Sequence, residues 1–179
     1  MRKDRRVGAI ALVVVLVLVI GGALVARSLG GGSEAEQAQE VLQQALQLHD
    51  DGDLDGAEEA YLRVIQLDPQ NPFAYYNLGL ISQTRGDLVS AESSYRTAIT
   101  INPDFVAALF NLAILRTDAG ATREAIDLYE HVIEIEPENA SAHLNLGFLL
   151  IDEGDQERGE AELEEAVRLD PSLEDRIDG

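Results

Sequence analysis

Cysteine is absent from this 179-residue chain, which excludes disulfide staples, thiolate metal sites and a cysteine nucleophile. Stability must come from packing alone. Lysine occurs once against twelve arginines, a bias that suits a GC-rich bacterial genome. Histidine occurs only as His49, His131 and His143, none with a Cys or a second His at ligand spacing, so no metal site is expected and no cofactor is assigned. His143 is expected to pack against a neighbouring helix. A Gly-rich phosphate loop, a nucleophile elbow and an ordered Ser-His-Asp set are also missing, so no catalytic residue is named and the chain is not read as an enzyme. Positive charge is scarce: the formal net charge is -20, and residues 1–32 carry +4 of their own, which leaves -24 on the rest. Such a surface repels phosphates, so no nucleic acid partner is expected.

Charged and hydrogen-bonding side chains are missing entirely from Val7 to Ala26, VGAIALVVVLVLVIGGALVA. Twenty residues at about 1.5 Å each match the ~30 Å hydrocarbon layer, and a lone segment in lipid must satisfy its backbone as a helix. Arg2, Lys3, Arg5 and Arg6 precede the segment and only Arg27 follows it. By the positive-inside rule, residues 1–6 are a cytoplasmic tip, 7–26 a single transmembrane helix at the cell membrane, and the remainder extracytoplasmic. The alternative is secretion after signal-peptide cleavage, for which Gly21-Gly22-Ala23 is a poor site. Residues 27–37 are read as linker and the start of a first helix, with glycines 30–32 as a short tether.

Beyond the tether the chain repeats. Pro69, Pro103, Pro137 and Pro171 are 34 apart, and so are Gly52, Gly86, Gly120 and Gly154. Small residues recur at Ala45, Gly79, Ala113 and Gly147, then at Ala57, Ala91, Ala125 and Gly159; large ones recur at Tyr61, Tyr95, Tyr129 and Leu163. The spacing of Tyr75, Leu78, Gly79 and Ser82, and of Ala91, Tyr95 and Ala98, is helical, so each unit is two helices joined at a glycine turn and closed by a proline. Four units follow: 38–71, 72–105, 106–139 and 140–171, with 172–179 as a short carboxy-terminal cap. Asp51-Gly52-Asp53-Leu54-Asp55-Gly56 copies the first half of a calcium loop, but Leu62 stands where the closing Glu belongs, and the turn explains the residues.

The 34-residue register, YYNLG at Tyr75 to Gly79, the Gly-Asp turns and AESSYRTAITINP at Ala91 to Pro103 resemble the tetratricopeptide repeat. The resemblance implies an all-α, right-handed superhelical solenoid of four repeats, added to the one amino-terminal transmembrane helix. It further implies a groove lined by the first helix of each unit and a role in protein recognition. On that basis the chain is expected to be a membrane-anchored scaffold for a peptide or protein ligand, with a self-associating assembly protein of the cell envelope as the alternative.

The resemblance also places residues. Asn77, Asn111 and Asn145 match an asparagine ladder that some members use along the groove, where an amide can pair with any peptide bond. Positions pointing into the groove hold Tyr76 and Leu80, Phe110 and Ile114, then Leu144, Phe148 and Ile151, an apolar stripe expected to be bare. No Lys or Arg cluster matches the clamp that heat-shock co-chaperones use on acidic tails, whereas Asp50, Asp118 and Asp152 favour a ligand with a basic flank. The short carboxy-terminal cap suggests weak homo-oligomerisation or cover from a partner.

Overall fold

The computed structural model describes residues 33–177, and these are helical throughout apart from their connections. The basic tip, the apolar stretch 7–26 and the glycine tether lie outside the described residues. No helix among those described is long and apolar enough to cross a membrane. Eight helices alternate with short turns: α1 (Glu34–Asp50), α2 (Leu54–Leu67), α3 (Pro72–Thr84), α4 (Leu88–Ile101), α5 (Val106–Asp118), α6 (Thr122–Ile135), α7 (Ala140–Asp152) and α8 (Gln156–Leu169). A 3-10 turn at Pro171–Leu173 leads into a one-turn α9 (Glu174–Ile177).

Local chemistry sets the boundaries. α1 has 17 residues where α3, α5 and α7 have 13, because a capping box starts it upstream of the register. Ser33 Oγ accepts from the Glu36 amide at 3.3 Å while Glu36 Oε2 accepts from the Ser33 amide at 2.7 Å. Each pair turns at a glycine in the left-handed region; Gly86, with φ of 78°, lets the Asp87 amide return to the Ser82 carbonyl at 2.9 Å. Asp87 then starts α4 by accepting from the Ser90 amide at 3.1 Å. The second helices stop ahead of proline, whose ring forces the preceding residue out of helical geometry, as at Asp68 (φ -137°, ψ 86°).

Within a unit the pattern of small and large residues is a packing pattern. Tyr61, Tyr95 and Tyr129 are buried, and Ala57, Ala91 and Ala125 lie beside them with no exposure. Between units the core is continuous: Ala74 and Ile81 of α3 join Ala45, Tyr61 and Val64, while Ala142, Leu146 and Leu149 of α7 join Tyr129 and Val132. The principal contacts run between consecutive helices, as a linear stack requires.

Arginines reinforce the joints. Arg85 reaches back to Asp55 and Glu58, Arg116 to Glu92, and Arg158 to Glu130, all at 2.5 to 2.8 Å. His143 takes the packing role expected of it, with Nδ1 2.6 Å from Glu162 Oε2 and Nε2 3.0 Å from the Pro137 carbonyl.

Candidate functional site

The first helices of units two to four present two adjoining clefts. One, of about 640 Å³, is bounded by Tyr76 of α3, Phe110 and Asn111 of α5, and Asp104, Phe105 and Glu136 of the connections. The other, of about 440 Å³, holds Ile114 and Asp118 of α5, Tyr129 of α6, and Asn145, Phe148 and Asp152 of α7, with Arg176 of α9 at its edge. Asn111 and Ile114 are one helical turn apart, so α5 carries the boundary between the two.

One of the asparagines is held by a tyrosine. Asn111 Nδ2 donates to Tyr76 Oη at 3.2 Å across the joint between units two and three. Burial raises the Tyr76 phenol above its ordinary value, and the bond from Asn111 opposes that rise. Burial likewise raises Tyr129, with Thr117 and Asn145 nearby opposing the rise and the Asp118 charge adding to it. Two of the three amides thus line a cleft, and that of Asn111 is fixed in orientation.

Asn77 departs from the expected ladder. It is 9% exposed, and its Nδ2 donates to the Phe73 carbonyl of its own helix at 2.8 Å. The cause lies one unit back: the register position that supplies Tyr76 to Asn111 supplies Leu42 to Asn77, and leucine has no hydroxyl to accept. Leu144 is also corrected, being 1% exposed in a cluster with Leu163, Ala166 and Leu173. The returning carboxy-terminal turn provides that cover.

The remaining stripe is half-covered and not bare. Leu80 packs with Ala91 and Tyr95, Phe110 and Ile114 with the Tyr129 cluster, and Phe148 and Ile151 with the Leu163 cluster. Ile151 leans on α8 so closely that a Cβ on Gly159 would stand 2.5 Å from its Cγ1. Among the described residues the exposed large apolar side chains are Leu62, Phe73, Leu88 and Val89. Phe73 stacks edge-on against Phe105 at 5.1 Å, and Phe105 lies 5.1 Å from Tyr76, so an aromatic group borders the first cleft.

Phe105 was missed by the resemblance, yet the sequence carries a signal for it. Asn71 and Asn139 occupy the same 34-residue register and cap their helices, each accepting a backbone amide at 3.1 Å. At Phe105 the cap bond is lost and α5 starts without one. A local rule broken in one unit of three marks a position selected for something besides helix initiation.

Among the described residues the acids at the clefts form no ion pair with an arginine, although Arg176 edges the second cleft. The ion pairs of the described residues take up Arg85, Arg96, Arg116, Arg158 and Arg168 elsewhere. Asp118 and Asp152 have no such partner, and Asp104 meets only His131 Nε2 at 3.5 Å. No group of three or more His, Cys, Asp or Glu side chains suited to a metal occurs among the described residues.

Known proteins give the fold a family. Family models described as TPR repeat and tetratricopeptide repeat match residues 45–86, 74–105 and 116–177. No curated protein matches. Among solved structures, MamA is 22% identical over 75% of this chain and 79% of its own, with a TM-score of 0.68. A tetratricopeptide repeat protein from Parabacteroides merdae is 27% identical over 76% of this chain and 54% of its own, with a TM-score of 0.66. The first repeat domain of Spaghetti (RPAP3), solved with the HSP90 peptide SRMEEVD, is 24% identical over 69% of this chain and 96% of its own, with a TM-score of 0.61. With the 34-residue register and the stacked helix pairs, these matches make the chain a tetratricopeptide-repeat protein.

Proposed function

We propose that the array is a recognition scaffold that takes an extended segment of a partner protein along the clefts of α3, α5 and α7. The observation that carries this reading is the pairing pattern. Arginines are spent on joints between units, while Asp118 and Asp152 face a cleft floored by Ile114 and Phe148 with no cation in ion-pair contact. An apolar floor and two carboxylates outside any ion pair, against the single Arg176 at the edge, together suit a ligand with an apolar anchor and a basic flank. Asn111, oriented by Tyr76, and Asn145 beside Tyr129 supply amides able to pair with a ligand backbone. The peptide solved on the RPAP3 domain, SRMEEVD, is acidic, so the ligand class proposed here has the opposite charge.

The second element of the proposal is tethering: Val7–Ala26 holds the scaffold at a membrane, with the repeats extracytoplasmic. Its support is the uninterrupted apolar run and the basic residues ahead of it. Protease added to intact spheroplasts should remove the repeats; protection until lysis would overturn the orientation.

For recognition, a displayed library of random peptides is panned against the full-length protein. Sequences enriched in Lys or Arg beside an apolar residue are expected, and Asp118→Lys with Asp152→Lys should abolish their enrichment. Selection of acidic or neutral peptides, or survival of the basic ones on the charge-reversed protein, would sink the reading.

A further inference from the structure

At each joint an acid on the second helix of one unit takes an arginine from the unit after it, and the second joint adds the reverse pair, Arg96 to Glu124. Asp55 and Glu58 of α2 accept from Arg85, Glu92 of α4 from Arg116, and Glu130 of α6 from Arg158, each arginine lying 24 to 30 residues downstream in the next unit. On α8, Glu157 takes the register of Asp55, Glu160 that of Glu58 and Glu92, and Glu164 that of Glu130. Among the described residues none of these three meets a cation; Glu160 accepts only from Gln156 Nε2, at 2.7 Å.

The apolar register is open in the same place. Leu163 and Val167 of α8 correspond to Tyr129 and Ile133 of α6, which pack in one cluster with Ala142 and Leu146 of α7. On α8 this face is covered in part by Leu173 and Ile177, which leaves a cleft of about 390 Å³ edged by Glu160, Glu164 and Glu174. Inside the array such a face is covered by the first helix of the next unit, and at the first two joints that helix or its cap supplies the arginine, Arg85 after α3 and Arg116 in α5.

We propose that this cleft binds an arginine-bearing amphipathic helix of a partner protein. Its apolar stripe lies on Leu163, Val167 and Ile177, and an arginine at its carboxy-terminal end forks onto Glu157 and Glu160, as Arg85 does onto Asp55 and Glu58. A second copy stacked by its first unit does not fit. One period or more back, the registers of Arg85, Arg116 and Arg158 hold Asp51, Leu48 and Gly56, which offer an acid and no cation to the glutamates. The proposal is independent of the clefts on α3, α5 and α7.

The test uses a labelled peptide copying residues 72–105, the unit that carries Arg85, titrated into the full-length protein in detergent micelles and read by fluorescence anisotropy. Saturable binding is expected, with Arg85→Glu in the peptide weakening it at least tenfold. Glu157→Arg with Glu160→Arg in the protein should do the same, and the two reversals combined should restore binding; circular dichroism melts check that the variants fold. Equal binding of both peptides, or no recovery in the combined pair, would overturn the proposal. So would concentration-dependent dimers of the protein alone, in sedimentation, that the double reversal abolishes, because the face would then belong to a second copy.

Discussion

A side chain on Gly79 would collide with Tyr95: a Cβ built there stands 2.5 Å from Tyr95 Cε1. The glycine and the tyrosine, sixteen residues apart, are one packing decision. Gly79→Ala should destabilise the array by about 1–3 kcal/mol as the ring is pushed back. Gly159→Ala should cost more, since its Cβ would meet backbone at the Gly147 carbonyl oxygen, 2.8 Å away, which cannot rotate aside. Urea melts of the two variants decide the order; a Gly159→Ala protein as stable as Gly79→Ala would show that the α7–α8 pair opens freely.

Alkaline pH should loosen the stack. Burial pushes the Tyr61 phenol from 10.0 up to about 12, with the Asp50 charge adding to the rise, and burial pushes Tyr95 higher as well. The folded state therefore holds a proton that the unfolded chain releases. This contribution is whole below pH 10 and is lost as pH climbs through about 12. Melting temperature should fall steeply across that interval, and Tyr61→Phe should fall less steeply than the parent. Identical slopes would mean that Tyr61 ionises in place.

At Phe105 the cap and the aromatic contact can be separated. Phe105→Ala loses the stacking with Phe73 and Tyr76, whereas Phe105→Asn loses it and regains the cap found at Asn71 and Asn139. The Asn variant should be more stable than the Ala variant by about 1 kcal/mol. Both should bind peptides selected on the parent equally poorly. Full binding by either would remove Phe105 from the site.

Arg176 competes with the proposed ligand. Among the described residues it is the one basic group edging the cleft of Asp118 and Asp152. Arg176→Ala should strengthen capture of a basic peptide several-fold, and Arg176→Glu should strengthen it further. Weaker binding in either variant would instead make Arg176 a ligand contact.

The register made most of this fold legible, because prolines, glycines and small-large pairs recur every 34 residues and each has a single packing explanation. Reading the site was harder. Asn77 and Leu144 carry the right residue at the right position, but their surroundings come from elsewhere: Leu42 fails to accept from the first, and Leu173 covers the second. A periodic sequence predicts what repeats, and the ends of an array are where its neighbours stop repeating. Phe105 and Arg176 were invisible to the family pattern for the same reason, since each departs from its own register or lies outside it.

The joint between units two and three has an arithmetic that unit three does not own. Excising residues 106–139 would bring Asn145 to the Tyr76 hydroxyl in place of Asn111, and Leu150 to Glu92 in place of Arg116. The polar latch survives the cut, and Glu92 keeps Arg96 at 2.9 Å. A shortened chain should therefore give the same helical signal per residue in the far ultraviolet; a marked drop would show that the joints are not interchangeable. Length in this protein is then an editable quantity, open to duplication and deletion one unit at a time without a new core having to be invented.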